Sequence, residues 1–294
     1  MKNAICLVMI VFVLASWTTQ AQFRNNVNVS VFTGGTVAQK NTNNQGHWYG
    51  VYAEWLPVTT LTGFNIGFGV VASQARFTSN DTRNQYEGAS TNFGAGLVIG
   101  YFSEFLTPTF AGYFGFNALI KRSNDSGTGK SILSNNQLGT YKMNQEDWLL
   151  ATELNINLLK TYGWGKEIFP RTQLKLLAQF PLKSSRESYW NEIPILSSPH
   201  WNKSNYGAEL KQSVFRSGDL TQLESKAYLG YYYYRGDRSH WLGIGPEISL
   251  KREGRDDFLS FHFLIKQQVG HFNQNLNSTQ FLIGINFIPT NTIF

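Results

Sequence analysis

The chain is poor in charge. Asp, Glu, Lys and Arg make up only 15% of its 294 residues, against roughly 25% in ordinary soluble domains. A fully hydrated surface of the usual composition is therefore excluded. Cysteine is scarcer still: the single one, Cys6, lies near the N-terminus. That leaves no partner for a disulfide and no thiolate cluster for zinc, and no cofactor or metal site is expected. Long apolar runs are missing as well, since nothing beyond Ala21 approaches the ~20 apolar residues of a membrane helix. Mean hydropathy is −0.25, which does not suit a helical membrane bundle. The net charge of +6 is spread without a basic cluster, so a nucleic-acid partner is not expected.

Aromatic side chains, in contrast, are abundant, with 22 Phe, 14 Tyr and 8 Trp. Many rings and few charges, set among Asn, Gln, Ser, Thr and Gly, suit a wall with lipid on one side and water on the other. The first 21 residues read as a secretory signal. Lys2 is the positive n-region, Ala4 to Ala15 the apolar run, and Thr19-Gln20-Ala21 the small-residue cleavage site. Residues 22–294 then form one domain. If that domain enters a membrane without helices, it must close into a barrel, because an open sheet edge leaves backbone groups unsatisfied in lipid.

Period-two alternation runs from Val27 onward. Phe64, Ile66, Phe68 and Val70 share one face. Leu154, Ile156 and Leu158 oppose Glu153, Asn155 and Asn157, and Leu174, Leu176, Ala178 and Phe180 oppose Gln173, Lys175 and Gln179. Leu259, Phe261, Phe263 and Ile265 oppose Ser260, His262 and Lys266. About twelve strands are predicted, near residues 27–37, 47–57, 62–76, 91–103, 109–121, 147–160, 170–182, 205–216, 222–235, 239–252, 257–270 and 278–289. Most exceed the five or six residues of an ordinary strand and match the ~9–11 that a tilted strand needs to cross a bilayer. Connections alternate long and short, with 77–90, 122–146 and 183–204 the longest; only the turn at Arg235–Arg238 breaks the rule. Trp48, Tyr49, Tyr52 and Trp55 are expected at the two membrane interfaces.

On these residues, with the terminal Phe294 and the predicted signal, the chain resembles a bacterial outer-membrane β-barrel from about Val27 to Phe294. The resemblance implies an all-β, antiparallel, up-and-down transmembrane β-barrel of about twelve strands in the outer membrane, surrounded by lipid. Partners among envelope or secretion proteins are also implied. Pro289-Thr290-Asn291-Thr292 departs from the pattern by interrupting alternation just before the end.

The alternation places Glu153, Asn155, Lys175, Glu209, Lys211, Glu224, Lys226, Glu247, Lys251, His262 and Lys266 in the lumen. The wall near residues 62–121 offers Gly67, Gly69, Ser73, Gly94, Gly96, Gly100 and Asn117 instead. Mixed charges either orient a hydrated solute or brace the interior as ion pairs. The aromatic segment with Tyr189, Trp190 and Trp201 is a candidate external binding surface, or alternatively a loop folded inward. Three functions fit the barrel: a pore or translocation channel for a hydrophilic solute or polymer such as surface polysaccharide; a non-conducting scaffold for a surface or secretion complex; and a lipid-modifying hydrolase. The last would need a trio such as His262 with Ser260 or Glu247. A lumen histidine is more often a polar filler, so no catalytic residue and no enzyme is expected. Gly127-Thr128-Gly129-Lys130-Ser131 ends like a phosphate loop, but Asn124 stands where its first glycine should be.

Overall fold

The computed structural model describes residues 24–37, 45–58, 63–80, 84–107, 110–132, 138–163, 166–195, 203–217, 221–235, 238–252, 257–270 and 279–287, with side chains described over slightly shorter spans at several strand ends. The expected signal segment, Trp201 and Phe294 lie outside these residues. Among the described residues there is no helix. The strands are β1 (Arg24–Val37), β2 (Gln45–Val58), β3 (Gly63–Asn80), β4 (Asn84–Thr107), β5 (Phe110–Ile132), β6 (Leu138–Gly163) and β7 (Lys166–Trp190). They continue with the two-residue β8 (Ile193–Pro194), then β9 (Asn205–Ser217), β10 (Thr221–Tyr234), β11 (Ser239–Arg252), β12 (Asp257–Gly270) and β13 (Thr279–Phe287).

Each long strand pairs antiparallel with its chain neighbour, and β7 pairs with β9 across the intervening segment. The first and last strands then meet, from Val29 opposite Phe287 to Val37 opposite Thr279. Twelve strands therefore close into a ring with no free edge, and β8 is a short appendage on β7. At ~4.8 Å between strands and a tilt near 40°, such a ring measures roughly 24 Å from backbone to backbone.

Alternation decides which face meets what. Phe64, Ile66, Leu97, Ile120, Leu229, Ile244 and Ile283 stand on the outer surface, 45–73% exposed. Glu224, Glu247, Ser249 and Ser260 point inward and are at most 4% exposed. This is the reverse of a soluble protein, in which apolar groups go inside. The arrangement is stable only where lipid surrounds the outer belt. The protein is a transmembrane β-barrel.

The structure corrects the predicted connections. Residues 77–80, 84–90, 122–132, 138–146 and 183–190, expected from sequence to be parts of long loops, are strand. They extend β3 to β7 beyond the apolar belt as a paired sheet: Asn124 lies opposite Thr91 and Glu146, and Gln145 opposite Arg186. The ladder persists because pairing satisfies the backbone in water as well as in lipid. Both faces are polar there, so the alternation that marks a strand in sequence vanishes. A turn with positive φ at Asn191 and Glu192 (47° and 67°) sends the chain back along β7, the geometry of a two-residue hairpin.

Candidate functional site

The lumen encloses a cavity of about 810 Å³ lined by every long strand except β4. Its middle layer is an ionic girdle on β6 to β11. Lys175 Nζ lies 2.9 Å from Glu153 Oε1, and Asn155 donates to the same oxygen at 2.6 Å. Glu247, on β11, receives Lys211 at 2.5 Å and Lys226 at 3.1 Å, one on each carboxylate oxygen. Glu209 accepts the Tyr232 hydroxyl at 2.6 Å, and Tyr232 is also hydrogen-bonded to Tyr228. Register explains the triad: Lys226 lies directly opposite Glu247, and Lys211 opposite Tyr228 one strand away. Groups of one parity on neighbouring strands share a face and come within reach.

Of the residues singled out from sequence, Glu153, Asn155, Lys175, Glu209, Lys211, Lys226, Glu247, His262 and Lys266 all line this cavity. Glu224 points inward below it and is fully buried. Lys251 lies on β11, but its side chain is outside the described ones. The serine–histidine–carboxylate trio is not assembled. Glu247 and His262 are opposite in register, but both oxygens of Glu247 are held by lysines. Among the described residues no hydrogen bond joins His262 to Ser260 or Glu247. The His262 ring packs against Gly284, where a Cβ would collide with it. Among the same residues no group of three metal-ligating side chains gathers.

Sequence reasoning missed several lumen groups. Tyr52, expected at a membrane interface, turns inward: its hydroxyl donates to Glu54 at 2.6 Å and accepts from Asn117 at 3.1 Å. Trp48 also faces the interior, whereas Tyr49 and Trp55 are on the outer face, Trp55 edge-on to Phe68 at 5.4 Å. Parity held the signal, because Trp48, Tyr52 and Glu54 alternate with the outward Val51, Ala53 and Trp55. Lys121 lines the cavity too, so the wall expected to be uncharged carries a lysine, with Glu54 beside it on β2.

At the external mouth a second cluster fixes the chain at Lys203, just ahead of β9. Lys203 Nζ reaches Asp125 at 2.5 Å, Asp147 at 2.9 Å and Ser123 at 2.8 Å. Asp147 also accepts from Gln145 at 2.8 Å and from Ser184. One cation thus pins the segment entering β9 to the inner face of β5 and β6. Lys203→Ala is expected to leave Asp147, 1% exposed, without its cation. The measurable result is faster proteolysis between β8 and β9 in the folded protein, with protection restored by Lys203→Arg. Unchanged cleavage would show that Lys203 does not latch the segment. Tyr189 and Trp190 end β7. Trp190 lies over Gly139 on the inner face, and Tyr189 donates to Glu187 at 3.4 Å. Outside the membrane, Arg122 donates to Glu146 at 3.1 Å and holds that carboxyl below its ordinary pKa.

No protein-family model matches the sequence, and comparison with curated proteins finds no match. Solved structures do resemble the fold. The translocator domain of the autotransporter NalP from Neisseria meningitidis superposes with a TM-score of 0.50 at 10% identity, covering 97% of each chain. The β domain of the Bordetella autotransporter BrkA gives 0.50 at 9% identity, covering 90% of this chain and 98% of that one. At such identities the likeness is one of fold.

Proposed function

We propose that the protein is an outer-membrane pore or translocation channel for a hydrophilic solute or polymer, surface polysaccharide being the polymer class its wall suits. The observation that carries this reading is the water-accessible space of about 810 Å³ inside a lumen walled by paired charges, amides and hydroxyls. Paired ions make such a wall hydrophilic without a strong net field, as a path for a hydrated solute requires. The two solved barrels of like fold are named as translocator or β domains of autotransporters, and this agrees with a transport role. Purified protein in planar bilayers is expected to give steady open currents. Electrical silence in correctly folded, heat-modifiable protein would refute the pore.

A second reading, a scaffold for envelope or secretion proteins, draws on the sheet that β4 to β7 raise above the belt and on the Lys203 latch. Silent bilayers combined with a stable complex on that sheet would favour it. Our reading assigns no enzymatic role. His262→Ala is expected to leave any lipid hydrolysis by the purified protein at the wild-type level, and a loss of activity would revive the hydrolase.

A further inference from the structure

Two lumen lysines stand apart from the girdle. Lys175, Lys211 and Lys226 each meet a carboxylate within 3.1 Å, and Lys203 lies between two aspartates. Lys121 and Lys266 line the same cavity, yet among the described residues neither has a carboxylate in salt-bridge reach. The acids whose fields reach them, Glu153 and Glu209, are engaged by Lys175 and by the Tyr232 hydroxyl. In the ring of twelve, β5 and β12 are six strands apart, so the two ammonium groups come from opposite walls. Both belong to the external half of the lumen. Lys121 immediately precedes Arg122, where the outer face leaves the apolar belt, and Lys266 sits two residues below Gln268 near the external end of β12.

The surroundings of Lys266 specify more than charge. Its ammonium rests 3.6 Å from the centroid of the Tyr232 ring, a contact that orients the cation without neutralising it. With Trp48, Tyr234 and Gln280 it borders a side pocket of about 240 Å³. The Trp48 indole can lie there because residue 34 is glycine: a Cβ would stand 2.5 Å from the ring. Ring faces suit the C–H faces of a sugar, an amide suits its hydroxyls, and an unpaired ammonium suits an acidic substituent.

We propose that this external vestibule is a subsite for an anionic saccharide unit, its acidic group on Lys266 and its ring against Trp48, with Lys121 taking a second acidic unit from the opposite wall. This rests on the pore reading and narrows its cargo to an acidic polymer. The test is calorimetric titration of the detergent-solubilised full chain with trigalacturonate, maltotriose and tripolyphosphate, alongside bilayer recordings with the same probes. Trigalacturonate is expected to bind and to block the current, and neutral maltotriose to do neither. Lys266→Gln should weaken trigalacturonate roughly tenfold, the scale of one charge-assisted contact, while Lys266→Arg retains binding. Lys121→Gln and Trp48→Leu should each weaken it less. Equal binding of maltotriose, or unchanged trigalacturonate affinity in folded Lys266→Gln, would overturn the proposal. So would tripolyphosphate binding as tightly with no effect of Trp48→Leu, which would mark a bare anion site. If the bilayers are silent the pore reading falls, whereas the titration still decides the subsite.

Discussion

Replacing Glu247 by alanine is expected to destabilise the barrel by about 3 kcal/mol, one of the two largest single-substitution effects expected for this protein. The carboxylate is 4% exposed and takes a lysine on each oxygen. Without it, Lys211 loses its carboxylate and Lys226 loses one of its contacts, and the two ammonium groups repel each other in a confined space. Most of the loss is the cost of the uncompensated positive charge left in the wall, because a buried pair itself adds little net stability. A triple variant separates these contributions. Changing Lys211, Lys226 and Glu247 together to methionine removes the charges along with their desolvation, so this protein should be far nearer wild type than the single variant. Reversible urea unfolding from lipid vesicles, followed by tryptophan fluorescence, measures both. If the single variant unfolds at the wild-type midpoint, the girdle does not hold the wall together.

The other large effect belongs to the outer face. Leu97 lies midway along the apolar part of β4 and is 58% exposed. Leu97→Arg puts a guanidinium near the centre of the hydrocarbon, at a cost of about 3 kcal/mol. Thr91→Arg changes the same face of the same strand, but Thr91 lies opposite Asn124 in the sheet above the belt. Its expected cost is near zero, because the new side chain stays in water. The same unfolding assay compares the two. Equal effects at both positions would mean that the belt ends elsewhere or that the outer face does not meet lipid.

Much of the fold was legible in the sequence, for a physical reason. Wherever lipid lies on one side and water on the other, period-two alternation is enforced, and stretches such as Leu259 to Lys266 display it with the single exception of the inward Leu264. The charged partners followed from the same parity, since Glu153 and Lys175 could only meet inside. Legibility ended where that contrast ended. Residues 122–132 pair as firmly as any part of β5, yet with water on both faces their Asn, Ser, Asp and Gly look like loop. Tyr52 was misplaced because the neighbouring Trp48, Tyr49 and Trp55 make it look like an interfacial aromatic, although it stands at the middle of β2, where its hydroxyl suits a lumen network. Lys121 was overlooked because it is the last residue of its predicted strand, beside Arg122 at the start of a polar stretch that reads as loop. Which lysine lacks an acid depends on reach across strands, and spacing along a single strand does not carry that information.

The central claim is that one parity of each strand meets lipid and the other meets water. Single cysteines introduced along β12 in a background lacking Cys6, reconstituted in vesicles and treated with a hydrophilic thiol reagent, test it directly. Labelling is expected at His262→Cys and Lys266→Cys and absent at Phe261→Cys, Phe263→Cys and Ile265→Cys. Uniform labelling, or labelling in the opposite phase, would contradict a barrel with a wet interior and a lipid-facing wall.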